Sequence, residues 1–179
     1  MRIIDFPTHA FLDAIAARAM PQLEAEGDIR AALDGTLASL LRSMDGAGIQ
    51  AAVVASIATR PQQFEPILRW SGELASERLI PFPSVHPADP LAIARVHRIR
   101  EQGFKGVKLH PYYQDFDLDE PRLQPIFAAM EECGLVVLCH TGFDLAFARV
   151  RRGDPARVLR VLDAFPRLRF VASHLGAWE

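Results

Sequence analysis

The sequence is poor in the features that mark small secreted proteins and membrane proteins. It has only 2 cysteines among 179 residues, and two thiols six positions apart, Cys133 and Cys139, suit reduced core residues better than a disulfide framework. No apolar run approaches the roughly 20 residues that a membrane-spanning helix needs. The N-terminus also lacks the charged and then apolar layout of a signal peptide. We therefore expect a cytoplasmic protein that has no membrane partner.

An excess of charge is missing as well. The 20 basic and 22 acidic side chains leave a formal net charge of -2 at pH 7, which provides no positive surface for nucleic acid or an anionic membrane. Hydrophobic residues make up 50% of the chain, enough to bury one sizeable core. The expectation is a single domain over residues 1–179 whose partner is a small molecule.

Six short apolar stretches recur along the chain, and capped or amphipathic segments separate them. This alternation predicts an α/β fold whose parallel strands are buried on both faces. The predicted strands span residues 3–6, 51–55, 79–82, 106–109, 135–138 and 170–172. Predicted helices lie between residues 34 and 48, 61 and 75, 90 and 101, 119 and 134, and 154 and 166.

The closure of the sheet has two alternatives, a doubly wound open sheet and a barrel. Neither a GxGxxG fingerprint nor a P-loop follows any predicted strand, so the nucleotide-binding open sheets lose their main support and a barrel is favoured. A (β/α)8 barrel of the TIM type usually takes about 250 residues. The chain supplies about six βα units, so we expect an incomplete barrel that lacks its last strands, truncated at the C-terminus.

Five of the six histidines follow or end predicted strands. They are His9, His86, His110, His140 and His174. The carboxyl ends of barrel strands converge on one rim, so five imidazoles there indicate a site, although a single one would more often be structural. Imidazole is a common ligand of zinc and also titrates near neutrality. Metal binding and proton transfer are both predicted.

Three further features lie near these histidines. Lys108, two residues before His110, would share its face of the strand and could hold a substrate carboxylate, or its side chain could extend to the rim. Asp5 could orient a ligand histidine or be a buried carboxylate satisfied by backbone donors. The loop 111–116, which includes Tyr113, could shape substrate specificity or only pack the surface.

Four stretches, residues 3–9, 103–111, 137–142 and 165–176, resemble the amidohydrolase superfamily. Within it they are most similar to the branch that includes aminocarboxymuconate semialdehyde decarboxylase. The resemblance implies a divalent metal ion, zinc first, and a homodimer. It implies a metal-dependent hydrolase that acts on a small carboxylate-bearing molecule through a metal-activated water. The alternative within this branch is a metal-dependent decarboxylase.

The family pattern can be carried over residue by residue. His9 matches the second histidine of a His-x-His pair and His140 the strand-five histidine, and both are metal ligands in the pattern. His174 matches the strand-six histidine, the general acid or base. The final aspartate of the pattern has no counterpart in this sequence. We assign substrate binding to three residues of strand four and its loop: Lys108, His110 and Tyr113.

Pro7 stands at the place of the first histidine of the pair and offers no ligand. Three interpretations follow: a ligand supplied from elsewhere, such as His110, a metal-poor and non-catalytic homologue, or a change peculiar to this sequence. A weaker alternative is a metal-independent lyase or aldolase that uses Lys108 as a Schiff base.

Overall fold

Six parallel strands form the centre of the molecule. The computed structural model describes residues 3–176. The strands are β1 (Ile4–Thr8), β2 (Ala51–Ala55), β3 (Leu79–Phe82), β4 (Gly106–Leu109), β5 (Val136–His140) and β6 (Arg169–Ser173). Each agrees within two residues with a stretch predicted from the sequence, because short β-branched runs bounded by turn residues are a strong local signal.

The strands pair in the order of the chain. One sheet contains β1, β2 and β3, and the other contains β4, β5 and β6, all in parallel. A parallel bridge between Ser84 and Lys108 joins the two: the Lys108 amide donates to the Pro83 carbonyl at 2.8 Å, and the Ser84 hydroxyl donates to the Lys108 carbonyl at 2.8 Å. Sequential parallel order is the arrangement of a (β/α) barrel. It places the carboxyl ends of all six strands at one edge.

Within residues 3–176, six α-helices cover the outer side of the sheet. They are α1 (Asp13–Gly27), α2 (Leu37–Ala47), α3 (Phe64–Leu74), α4 (Ala92–Glu101), α5 (Gln124–Glu132) and α6 (Pro155–Ala164), and short 3-10 turns precede α3 and α5. Side-chain caps fix two starts: Thr36 accepts from the Ser39 amide, and Asp154 accepts from the amides that follow it. Among the described residues no helix is long and apolar enough to cross a membrane.

Helix α1 was not predicted from the sequence. Ala16 is its only buried residue, and Pro21 lies inside it. A helix that buries so little carries no apolar stripe at helical spacing, which is the signal that sequence patterns depend on. The other five helices bury several residues each or begin at a strong cap, and all five were predicted.

The two faces of the sheet pack differently. Between the sheet and its helices lies a large core that includes Val107, Leu109, Phe127 and Met130. On the inner face a smaller apolar cluster contains Val53, Ala55, Phe82 and Leu138. Lys108 is the register partner of Leu138, and successive side chains of a strand alternate between faces. The Lys108 side chain therefore shares the inner face with Leu138.

The prediction that every strand is buried on both faces is wrong for the outermost two. In β1, Ile4 is 45% and Phe6 is 41% exposed, and in β6 Arg169 is exposed. Within residues 3–176 each of these strands pairs on one side only. The pairing of β1 also shifts register between Asp5 and Thr8, around Pro7, which has no amide hydrogen to donate.

Candidate active site

Two histidines and one carboxylate meet at the carboxyl ends of β4 and β5. His110 directly follows β4 and His140 ends β5, and their rings stack with centroids 4.2 Å apart. Oδ2 of Asp144, from the loop after β5, lies 3.4 Å from Nε2 of His110 and 3.8 Å from Nε2 of His140. One ligand atom from each residue lies within 4.8 Å of the others. These three residues form a compact donor set.

The donor set fits a divalent ion. Two ligand atoms about 2.1 Å from a tetrahedral ion lie about 3.4 Å apart, close to the separations seen here. Nε2 of His140 is buried and has no hydrogen-bond partner among the described residues, which is costly unless a ligand satisfies it. Imidazole nitrogen together with carboxylate oxygen suits zinc and manganese.

In the metal-free protein, the surroundings of these three residues shift their pKa values towards the protonation states that bind a cation. Burial, and then the charge of His110, lowers the pKa of His140 to about 3, so its ring is neutral at pH 7. Burial also lowers the pKa of His110. Burial alone would raise the pKa of Asp144, but hydrogen bonds from His110 and the Ala146 amide lower it overall. Neutral imidazoles beside an ionised carboxylate are the protonation states that metal binding requires.

His9, predicted as a ligand, lies at the same mouth but outside the compact set. Its Nδ1 donates to the Ala55 carbonyl at 2.8 Å, since a carbonyl oxygen can only accept. Desolvation by neighbouring groups, followed by the charge of Lys108, lowers the pKa of His9, although the residue keeps part of its surface in solvent. The neutral ring therefore keeps its lone pair on Nε2, as ligand histidines held by a backbone carbonyl do. Charges on His110 and His174 also act on His9.

His174, predicted as the catalytic residue, follows β6 with its ring centroid 5.0 Å from that of His140. Its backbone has φ 63° and that of Leu175 has φ 53°, a left-handed turn that non-glycine residues rarely adopt. The Thr141 hydroxyl holds this turn, because it donates to the Ser173 carbonyl and accepts from the Gly176 amide at 3.2 Å. Partial burial and the charge of Lys108 lower the pKa of His174.

Lys108 lies beneath this group on the inner face. The residue is 1% exposed, which contradicts the alternative in which its side chain extends to the rim. Burial lowers the pKa of its ammonium to about 8. Its charge acts on His9, His110 and His174, so it faces the same space as these histidines.

An aromatic wall stands beside the histidines. The Tyr113 ring lies 4.7 Å from that of His110 and 4.9 Å from that of Phe147, measured between centroids. Tyr112 packs between Phe147 and His140, and its hydroxyl donates to the Val150 carbonyl at 2.6 Å. Burial raises the pKa of Tyr113 to about 12, so its hydroxyl remains protonated. Loop 111–116 therefore both packs and faces the site.

His86 does not join the other rim histidines. Its Nδ1 accepts from the Ala88 amide at 3.1 Å within a local turn. Burial and the charge of Arg122 lower its pKa, while Asp89 and Asp115 oppose the change. Of the five histidines predicted at the rim, four therefore lie near one another: His9, His110, His140 and His174. Asp5 is half-buried and pairs with Ala52, a residue of the core between the sheet and its helices, so its side chain lies on the face opposite that of Lys108.

Asp144 is the site residue that the sequence did not reveal. The available signal was weak: a carboxylate four residues after a strand-ending histidine, just past Gly142. Its distance to His110 depends on the pairing of β4 with β5. This pairing joins segments that are far apart in the sequence, so a local pattern does not predict it.

Comparison with known proteins supplies the family. The model of the amidohydrolase family matches residues 4–178. No match was found among the curated protein sequences.

Three solved structures have a similar fold. A 5-carboxyvanillate decarboxylase from Novosphingobium aromaticivorans, solved with manganese and 4-hydroxy-3-methoxy-5-nitrobenzoic acid, is 21% identical, with a TM-score of 0.69 over 97% of this chain and 64% of its own. A TIM-barrel protein from Bordetella bronchiseptica is 22% identical, with a TM-score of 0.65 over 96% and 66%. A probable 2-pyrone-4,6-dicarboxylic acid hydrolase from Acinetobacter baumannii is 18% identical, with a TM-score of 0.54 over 96% and 57%. The chain thus spans two thirds or less of these proteins.

Proposed function

Because the chain belongs to the amidohydrolase family, we propose that it is a metal-dependent enzyme that acts on a small carboxylate-bearing molecule. The observation that carries this proposal is the convergence of His110, His140 and Asp144, with the unpartnered Nε2 of His140, beside the buried Lys108.

His140, His110 and Asp144 would hold the metal ion, with Nε2 of His9 available at the same mouth. In this arrangement His110 and Asp144 supply the ligands that Pro7 cannot. Zinc is our first choice, and manganese, present in the decarboxylase structure, suits the same donors. A bound divalent ion supplies Lewis-acid polarisation of the substrate and activation of water near neutral pH.

Side chains of the chain itself would bind and orient the substrate. The Lys108 ammonium attracts a substrate carboxylate, and its burial strengthens this attraction because little water screens it. Tyr113 and Phe147 offer ring surfaces against which a planar part of the substrate can pack. His174, neutral near pH 7, can take up a proton and return it.

Two reactions fit this arrangement. Hydrolysis, expected from the superfamily resemblance, needs a water activated between the metal ligands and His174. Decarboxylation is the activity named for one protein of similar fold, solved with manganese, and in it His174 would deliver the proton to the carbon that loses carbon dioxide. A homodimer remains a further proposal from the resemblance.

Metal analysis of the purified chain tests the proposal. After loading with zinc or manganese and dialysis, we expect about one ion per chain by elemental analysis, and His140→Ala should lose it. A wild-type chain that retains no ion would overturn the proposal. Incubation of the loaded protein with aromatic carboxylates and esters in ¹⁸O-labelled water separates the reactions, because hydrolysis incorporates the label into product and decarboxylation releases carbon dioxide.

A further inference from the structure

A buried amide next to the site makes an unusually complete set of hydrogen bonds. Gln114, in the loop after β4, is 1% exposed. Its Oε1 accepts from the His110 amide at 2.8 Å. Its Nε2 donates to the Val85 carbonyl at 2.9 Å and the Ala58 carbonyl at 3.0 Å, with the Ser84 Oγ at 3.3 Å. The two amide hydrogens and the amide oxygen of this side chain are therefore all engaged.

The partners of Gln114 belong to three consecutive loops. Ala58 follows β2, Ser84 and Val85 follow β3, and His110 follows β4. Ser84 extends the connection, since its hydroxyl donates to the Lys108 carbonyl at 2.8 Å. One side chain thus ties the backbone of His110 to the two neighbouring loops and, through Ser84, to the backbone that carries Lys108.

These hydrogen bonds determine where the His110 ring lies. Its Nε2 stands 3.4 Å from Asp144, and its ring stacks on His140 at 4.2 Å. Both separations depend on where the His110 backbone sits relative to β5. No contact between the Gln114 side chain and the His110 ring is needed, because the amide bond fixes the backbone from which that ring projects.

We propose that Gln114 is a positioning residue, which holds His110 in register with Asp144 and His140. Its effect on metal affinity rests on the proposed function, whereas its effect on the His110 ring does not. Loss of the partners that orient metal ligands typically costs 10–100-fold in affinity. Because Gln114 acts through the backbone, we expect a loss of about tenfold.

Gln114→Met tests this proposal, since methionine has a similar length but no hydrogen-bonding group. Val96→Ala in α4 is the control, because it also perturbs a buried side chain but lies in the core between helices and sheet. Two quantities are compared: the dissociation constant for Co²⁺, read from its visible absorption, and the ¹⁵N resonances of the histidine rings in metal-free protein, with His110 assigned through a His110→Gln variant.

Gln114→Met should weaken Co²⁺ binding about tenfold and shift the His110 ring resonances while leaving those of His97, in α4, in place. Val96→Ala should leave both the Co²⁺ affinity and the His110 ring resonances unchanged. A purely structural role would lower thermal stability in both variants without this selective shift. Wild-type Co²⁺ affinity and an unmoved His110 ring in Gln114→Met would overturn the proposal.

Ser84→Ala keeps the test decisive if Gln114→Met does not fold. It removes the link to the Lys108 carbonyl and one contact with Gln114, so a smaller shift of the His110 ring is expected, and no shift would count against the proposal. If the wild-type chain binds no Co²⁺, the proposed function fails, and the ring resonances alone decide the role of Gln114.

Discussion

Asp144→Asn provides a sharp test of the proposed metal centre, because it replaces one carboxylate oxygen by an amide nitrogen with little change in the size of the side chain. The carboxylate lies 3.4 Å from Nε2 of His110. A bound ion would lie closer to the carboxylate, at about 2.1 Å, so this separation gives a lower limit. Two unit charges about 3.4 Å apart attract by about 1.2 kcal/mol in water and by about 5 kcal/mol at an effective dielectric constant of 20. Even the lower value, doubled for a divalent ion, is about 2.4 kcal/mol, or roughly a 60-fold loss of affinity.

Competition with a chromophoric chelator measures this affinity for zinc. Asp163→Asn is the matched control, because it makes the same change of charge on an exposed position of α6 and should leave the dissociation constant within about twofold at physiological salt. If Asp144→Asn bound zinc as tightly as the wild type, Asp144 would not be a ligand, and His110, His140 and Asp144 would not form the proposed metal site.

Three predictions concern the fold and its thiols. Gly106→Ala should destabilise the protein by about 2 kcal/mol or more in urea unfolding, since a Cβ there would lie 2.2 Å from the Phe82 ring; wild-type stability would contradict this packing. Asp154→Ala removes the cap of α6 and should cost about 1 kcal/mol, and an unchanged melting temperature would argue against the cap. Burial raises the pKa of Cys139 to about 12, so at pH 8 a thiol reagent should modify the more accessible Cys133 far faster; Cys133→Ser should abolish the fast phase, and its persistence would refute the burial of Cys139.

The elements that the sequence predicted share a local cause. The six strands are short, largely apolar runs bounded by turn residues, and the face of Lys108 followed from its spacing of two from His110. Helix α1 escaped prediction because it buries little more than Ala16. Features that depend on strand pairing could not be predicted. Among the described residues β1 and β6 are exposed because each pairs on one side only, and a local stretch of sequence does not contain this information.

The contrast between local signals and strand pairing also explains which parts of the site could be predicted. That histidines would gather at the strand ends could be predicted, because parallel strands carry their carboxyl ends to one edge. Which of them would approach one another could not, because it depends on the order and register of the strands. His110 and His140 meet because β4 pairs directly with β5. His86, although it follows β3, turns into a local hydrogen bond with the Ala88 amide.

The pairing of β4 with β5 also changes the effect expected of Pro7 on the proposed metal site. From the sequence, a proline at a ligand position of β1 argued against a metal centre, because the expected ligands were distributed between β1 and β5. In the structure the compact donor set belongs to β4, β5 and the loop that follows. These two strands are almost entirely buried, whereas Pro7 lies in a strand with exposed apolar side chains. The grouping of His110, His140 and Asp144 follows from the pairing of β4 with β5 and involves no residue of β1. Pro7 therefore removes one ligand without removing the place where an ion would bind.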